Sequence, residues 1–165
     1  MIVFIIIFFI ISVILESLVS NLIVNFIPFF ILCFIVVFAS LEIKKDHFYK
    51  TLIVAGIIYD LMYTNQVILN ALLFCFYGFL VSLILRTSKN FILCFLSYTV
   101  ICLINVFVNF IIPVIQNNVT INSIVHKISF SIPINISYFV IAYLLFIGIN
   151  CLISNRKNKM RIPIN

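Results

Sequence analysis

Nine of the ten Lys and Arg residues of this chain lie in segments that follow an even-numbered apolar run. Polar interruptions define six runs: residues 2–24, 26–41, 51–63, 67–85, 91–115 and 128–153. Lys44, Lys45 and Lys50 follow the second, Arg86 and Lys89 the fourth, and Arg156, Lys157, Lys159 and Arg161 the sixth, while Lys127 lies opposite. Lys and Arg in short loops are retained on the cytoplasmic side of a membrane. The distribution predicts an all-α polytopic membrane protein, a compact bundle of six transmembrane helices with both termini cytoplasmic. Residues 1–153 form its single transmembrane domain, and residues 154–165 a flexible, basic cytoplasmic tail.

Composition supports the membrane reading. With 65% hydrophobic and 8% charged residues and a mean hydropathy of +1.36, the chain lacks the polar surface that a water-soluble globule needs. A net charge of +6 would raise the question of nucleic acid in a soluble domain, but here the cations flank a bilayer and face anionic headgroups, so nucleic acid is not expected. The first run lacks a basic leading region and a small-x-small cleavage pattern near Asn21 to Asn25, and reads as a retained helix. Cys33, Cys75, Cys94, Cys102 and Cys151 all sit within apolar runs with no C-x-x-C pair, which suits small apolar fillers better than a disulfide framework or a metal site. No cofactor is expected.

About 20 apolar residues span the roughly 30 Å hydrocarbon core, and the run 51–63 is too short. Its helix must begin within residues 44–50, lie beside thinned bilayer, or break near Thr64, Asn65 and Gln66. The abundant Phe and Ile read mostly as lipid-facing bulk, and in the absence of Trp, Tyr49, Tyr63 and Tyr98 take the part of interfacial anchors.

Polar groups inside the membrane carry the functional signal. Glu16 and Asp60 are the acids within apolar runs, and a charge there costs at least about 2.5 kcal/mol, so each must face protein or water. In the predicted topology both fall between the midplane and the outer half. Tyr98, Cys102, Asn105 and Asn109 share one face of the fifth helix, Ser131, Asn135, Tyr138 and Ala142 one face of the sixth, and Asn70 opens the fourth at the same level. These groups either bond one another between helices, or line an outward cavity or groove for a partner's transmembrane segment. A proton or ion pathway would need an acid or His in the inner half as well, and His47 and His126 both read as loop residues. For catalysis there is neither a nucleophile with a base nor a His-Glu-x-x-His set, so no enzyme is expected.

The stretch 53–80, I-V-A-G-I-I-Y-D-L-M-Y-T-N-Q-V-I-L-N-A-L-L-F-C-F-Y-G-F-L, resembles the signature of the rod shape-determining protein MreD family. The matching positions are Gly56, Tyr59, Asp60, Leu61, Tyr63, Leu69, Asn70 and Ala71, with Gly78 later; at Ile68 and Leu69 the family's usual Gly near the turn is absent. The resemblance implies a non-enzymatic component of the bacterial cell-elongation machinery in the cytoplasmic membrane, binding the single-span protein MreC and thereby actin-like MreB filaments and cell-wall synthases. Gly56 and Asp60 share a helix face where Gly admits a close helix and the acid offers acceptors, so Glu16, Gly56, Tyr59 and Asp60 are the candidate partner-binding residues. Asp60 could also pair within the chain, for instance with Asn105 or Tyr138. No small-molecule substrate is expected under this reading. The alternatives are a substrate-binding membrane subunit of an energy-coupling-factor type vitamin transporter, disfavoured because the first helix lacks an Ala-x-x-x-Ala pattern, and an enzyme acting on lipid or isoprenoid substrates.

The charge distribution predicts that a reporter active only outside the cytoplasm is silent when fused after residue 165 and active when fused within residues 116–120. The reverse pattern would overturn the topology.

Overall fold

The computed structural model of the chain describes residues 2–23, 26–41, 45–63, 68–115 and 121–159. These residues form six helices and no strand: α1 (Ile2–Leu22), α2 (Phe30–Ser40), α3 (Lys45–Tyr63), α4 (Leu69–Ile84), α5 (Phe91–Ile115) and α6 (Ile121–Lys159). Within them Phe4–Leu22, Phe91–Phe110 and Asn122–Ile149 are long and apolar enough to cross a membrane. Large apolar side chains cover the outside, Leu18, Leu72, Leu103, Phe107 and Leu144 each being half exposed or more. Water disfavours so large an apolar surface, and lipid accepts it.

α3 begins at Lys45, so the short run 51–63 gains a polar first turn and a length of 19 residues, about 28 Å at 1.5 Å per residue. Asp46 in that turn suits the partial positive charge of a helix start. The proposed break at Thr64, Asn65 and Gln66 lies outside the described residues. His47 and His126, read as loop residues, are exposed on the first turn of α3 and the second turn of α6 instead. α6 is also longer than its apolar run, 39 residues or about 58 Å, so the supposed tail is helical through Lys159, and residues 160–165 lie outside the described part.

The second run departs most from expectation. Its helix does not begin at Phe26, because Pro28 disfavours helical backbone in the residue before it and has no N–H to donate. Residues 26–29 are irregular and only 30–40 are helical. Ile27 N–H donates to Ser131 Oγ (2.8 Å) and Phe29 N–H to Asn135 Oδ1 (2.9 Å). Four residues of helix advance about 6 Å, as do two residues of extended chain, so residues 27 to 29 run extended alongside α6. The helix that follows, 11 residues or about 16 Å, touches all five others, and every residue from Phe30 to Phe38 is buried.

That burial corrects the view of the aromatic residues as lipid-facing bulk. Phe29, Phe30, Phe34 and Phe38 of this central segment are buried, as are Phe9, Phe48, Phe74 and Phe139 from the surrounding helices. The Phe9 and Phe34 rings meet edge to face at 5.2 Å, and the Phe30 and Tyr138 rings lie 4.3 Å apart. Tyr98, expected as an interfacial anchor, is buried as well, because its hydroxyl finds the Phe29 and Asn135 carbonyls at 3.4 Å inside the bundle.

Two contacts gather the basic segments at one end. Lys89 Nζ donates to Leu41 O at the close of α2 (3.3 Å), and Tyr143 Oη of α6 donates to Lys89 O (3.5 Å). At the other end α3 and α4 meet backbone to backbone. A Cβ at Gly56 would stand 2.4 Å from Ala71 Cα, 2.6 Å from Ala71 N and 2.8 Å from Asn70 O.

Gly56→Ala is therefore expected to force α3 and α4 apart and cost about 3 kcal/mol, read as a fall in the unfolding midpoint in detergent. Gly148→Ala, where an added Cβ meets nothing within 4 Å, should be neutral or mildly stabilising. Ile68, just before α4, has φ 91°, a left-handed conformation that a β-branched side chain resists. Ile68→Gly is expected to stabilise by up to about 1 kcal/mol in the same measurement.

Candidate functional site

A helix start leaves amide protons without intrahelical partners, and within hydrocarbon no water supplies acceptors. α2 starts inside the bundle, and Phe29, its N-cap residue, makes no capping hydrogen bond through its own side chain. The acceptor comes from α1. Glu16, buried at 6% exposure, takes the Ile31 N–H on Oε2 (3.0 Å) and the Tyr59 hydroxyl on Oε1 (2.8 Å). One carboxyl group thereby joins α1, the first turn of α2 and the last third of α3, and the helix dipole favours its negative charge.

Asp60 performs the same task at α4. Its side chain is fully buried, Oδ2 accepts the Asn70 N–H (3.0 Å) and Oδ1 the Asn70 side-chain amide (2.6 Å). Asp60 thus bonds Asn70, and not Asn105 or Tyr138, the pairings within the chain considered from sequence. Asn105 Oδ1 instead accepts from Tyr77 Oη and Asn109 Nδ2, both at 3.0 Å, and Tyr138 Oη bonds Ser12 Oγ at 2.9 Å. The reason is local. Asn70 stands in the first turn of the helix that packs on α3, and its backbone amide needs an acceptor there.

The face shared by Gly56 and Asp60, read from sequence as a surface for a partner, is thus filled by α4 of the same chain: Ala71 and Asn70 backbone atoms cover Gly56, and Asn70 takes both Asp60 oxygens. Glu16 and Tyr59 lie on a different surface. With Tyr63, Asn70, Asn105 and Asn109 they line an open groove of about 330 Å3, walled by α1, α2, α3, α4 and α5 and by Ile27 and Pro28 before α2. Tyr63 lies against Tyr59 with ring centroids 4.8 Å apart, and its hydroxyl donates to Val13 O (2.8 Å). Comparison with known protein families, curated proteins and solved structures finds no match.

The outer polar cluster expected from sequence divides in two. Asn70, Asn105 and Asn109 line the groove, whereas Asn135 and Tyr138 face the start of α2. Asn135 Nδ2 donates to Ile27 O (2.9 Å) while its Oδ1 accepts from Phe29, so one carboxamide holds the extended segment at two points. These groups bond between helices, and several of them also border an opening. Ser12 and Tyr77, lone hydroxyls within apolar runs that carry no spacing signal, complete the network with Tyr63, which the sequence places among the interfacial tyrosines and in the motif. Pro28 is the signal that announces the broken second helix.

Among the described residues every buried side-chain nitrogen and oxygen has a hydrogen-bond partner, and no three His, Cys, Asp or Glu side chains gather as a metal would require. The described cysteines Cys33, Cys75, Cys94 and Cys102 are free thiols. The chemistry on offer in the groove is hydrogen bonding and aromatic contact.

Asn135→Leu keeps the bulk but strands the Phe29 N–H and the Ile27 carbonyl, and is expected to cost about 3 kcal/mol in the unfolding free energy. Tyr59→Phe removes one donor from Glu16 and should cost about 1 kcal/mol. Combined with Glu16→Ala, it should add less than its separate cost, and full additivity would show that the two groups are not coupled.

Proposed function

We propose that this protein is a non-enzymatic scaffold of the bacterial cell-elongation machinery in the cytoplasmic membrane, seating single-span MreC and, through it, actin-like MreB filaments and cell-wall synthases. The observation that carries the reading is the groove beside Tyr59 and Tyr63. Glu16, Asn105 and Asn109 give it polar lining, and Leu61, Met62 and Phe107 stand exposed on the adjoining helices. A membrane-spanning helix seeks such a surface, with van der Waals contact along its length and a few hydrogen bonds to fix register. With the basic segments cytoplasmic, the groove opens in the outer half of the bilayer.

The resemblance to the MreD family gains a physical rationale. Gly56, Asp60, Asn70 and Ala71 converge on one helix junction, so the motif reads as the device that builds the groove wall rather than as the contact itself. Contact falls to Tyr59, Tyr63 and Asn109. A photo-cross-linking residue at Tyr63 or Asn109 is expected to capture co-expressed MreC, and one at Leu144 on the exposed face of α6 is not. Asn109→Trp should lower co-purification about tenfold while leaving folding intact. Undiminished capture by that variant, with no cross-link at either groove position, would remove the groove from the interface.

One observation favours the transporter alternative. A volume of about 330 Å3 falls within the size range of small-ligand pockets. Mass spectrometry of the purified protein separates the two readings, since a vitamin released on denaturation would replace the scaffold with a substrate-binding subunit.

A further inference from the structure

At the opposite end of the bundle, where α2 and α4 finish and α3 and α5 begin, a second cleft of about 510 Å3 opens. Its character changes along its depth. Phe48 of α3 and Phe79 and Leu83 of α4 give it apolar walls, while Arg86 and Lys89 stand at the loop end beside the Tyr49 and Ser82 hydroxyls, which lie 3.5 Å apart. Phe79 and Leu83 are about half exposed, so the apolar part is continuous with the lipid-facing surface of α4. Arg86 and Lys89 are exposed, and among the described residues lining the cleft none is acidic.

Lys89 is held in place by the fold. Its ammonium donates to Leu41 O, at the carbonyl end of α2, where the helix dipole favours a cation. An ammonium has three donors, so one bond to a carbonyl leaves capacity for an anion. We propose that this cleft binds one anionic phospholipid, its phosphate held by Arg86 and Lys89 and its acyl chain lying on Phe79 and Leu83. Charge complementarity selects an anion, and the apolar walls open to the membrane select a lipid over a free ion. The proposal rests on the membrane setting alone and is independent of what the groove near Tyr59 accepts.

Native mass spectrometry of the protein reconstituted with equal phosphatidylglycerol and phosphatidylethanolamine tests it. The expected result is preferential retention of one phosphatidylglycerol, reduced about fivefold by Arg86→Gln and about twentyfold when Lys89→Gln is added. Lys50→Gln, an exposed cation of α3 outside the cleft, should change nothing. Because Lys89→Gln also removes the contact with Leu41, Lys89→Arg serves as the second variant and should keep full retention. Equal retention of the two lipids, retention unaffected by Arg86→Gln, or displacement by millimolar inorganic phosphate would each overturn the proposal.

Discussion

Inside a bilayer an amide proton has no water to turn to, and this chain breaks its backbone ladder between α1 and α2 in the middle of its own core. Everything central in the bundle follows from how that break is repaired. Ser131 and Asn135, one helical turn apart on α6, match residues 27 and 29 of the irregular segment before α2, and Glu16 reaches across from α1 to the amide of Ile31. α1, the start of α2 and the distant α6 are thereby required at one place. α2, once held there, is surrounded, which is why it can be apolar from Phe30 to Ala39 and only 11 residues long.

The two acids of the apolar runs do the same work in successive hairpins. Glu16 on α1 accepts from the first turn of α2, and Asp60 on α3 accepts from the first turn of α4. In each case the helix that leads into the turn supplies the acceptor for the helix that leads out. The carboxyl groups are sheltered from hydrocarbon by the backbone they satisfy, which lowers the cost of placing an acid at that depth. Around them Tyr59, Tyr63, Asn105 and Asn109 are drawn to the same level, and because α1 and α5 do not close over them, a groove remains.

Much of the architecture is legible in the residues. The six apolar runs correspond to six helices, and part of the polar faces of α5 and α6 points inward, with Tyr98, Ser131, Asn135 and Ala142 all buried. The start of α3 inside the lysine-rich segment is one of the three outcomes that the shortness of residues 51–63 allows. Less legible is the exposure of the aromatic residues. Phe34 at the centre of the bundle and Phe107 at its surface sit in runs of similar composition, and in a membrane both faces of a helix are apolar, so the hydrophobic pattern that sorts inside from outside in a soluble protein is erased.

From composition, run length and the placement of Lys and Arg alone come the helical class, the number of elements and the membrane setting, because hydrocarbon imposes those terms on each segment separately. Partner choice is a different matter. That Asp60 meets Asn70 rather than Asn105, that Gly56 lies under Ala71 rather than under another protein, and that Asn135 serves residues 27 and 29 depend on where six helices come to rest against one another. A hydrogen bond needs its partner within about 3 Å, and no spacing along the chain encodes a distance across the bundle.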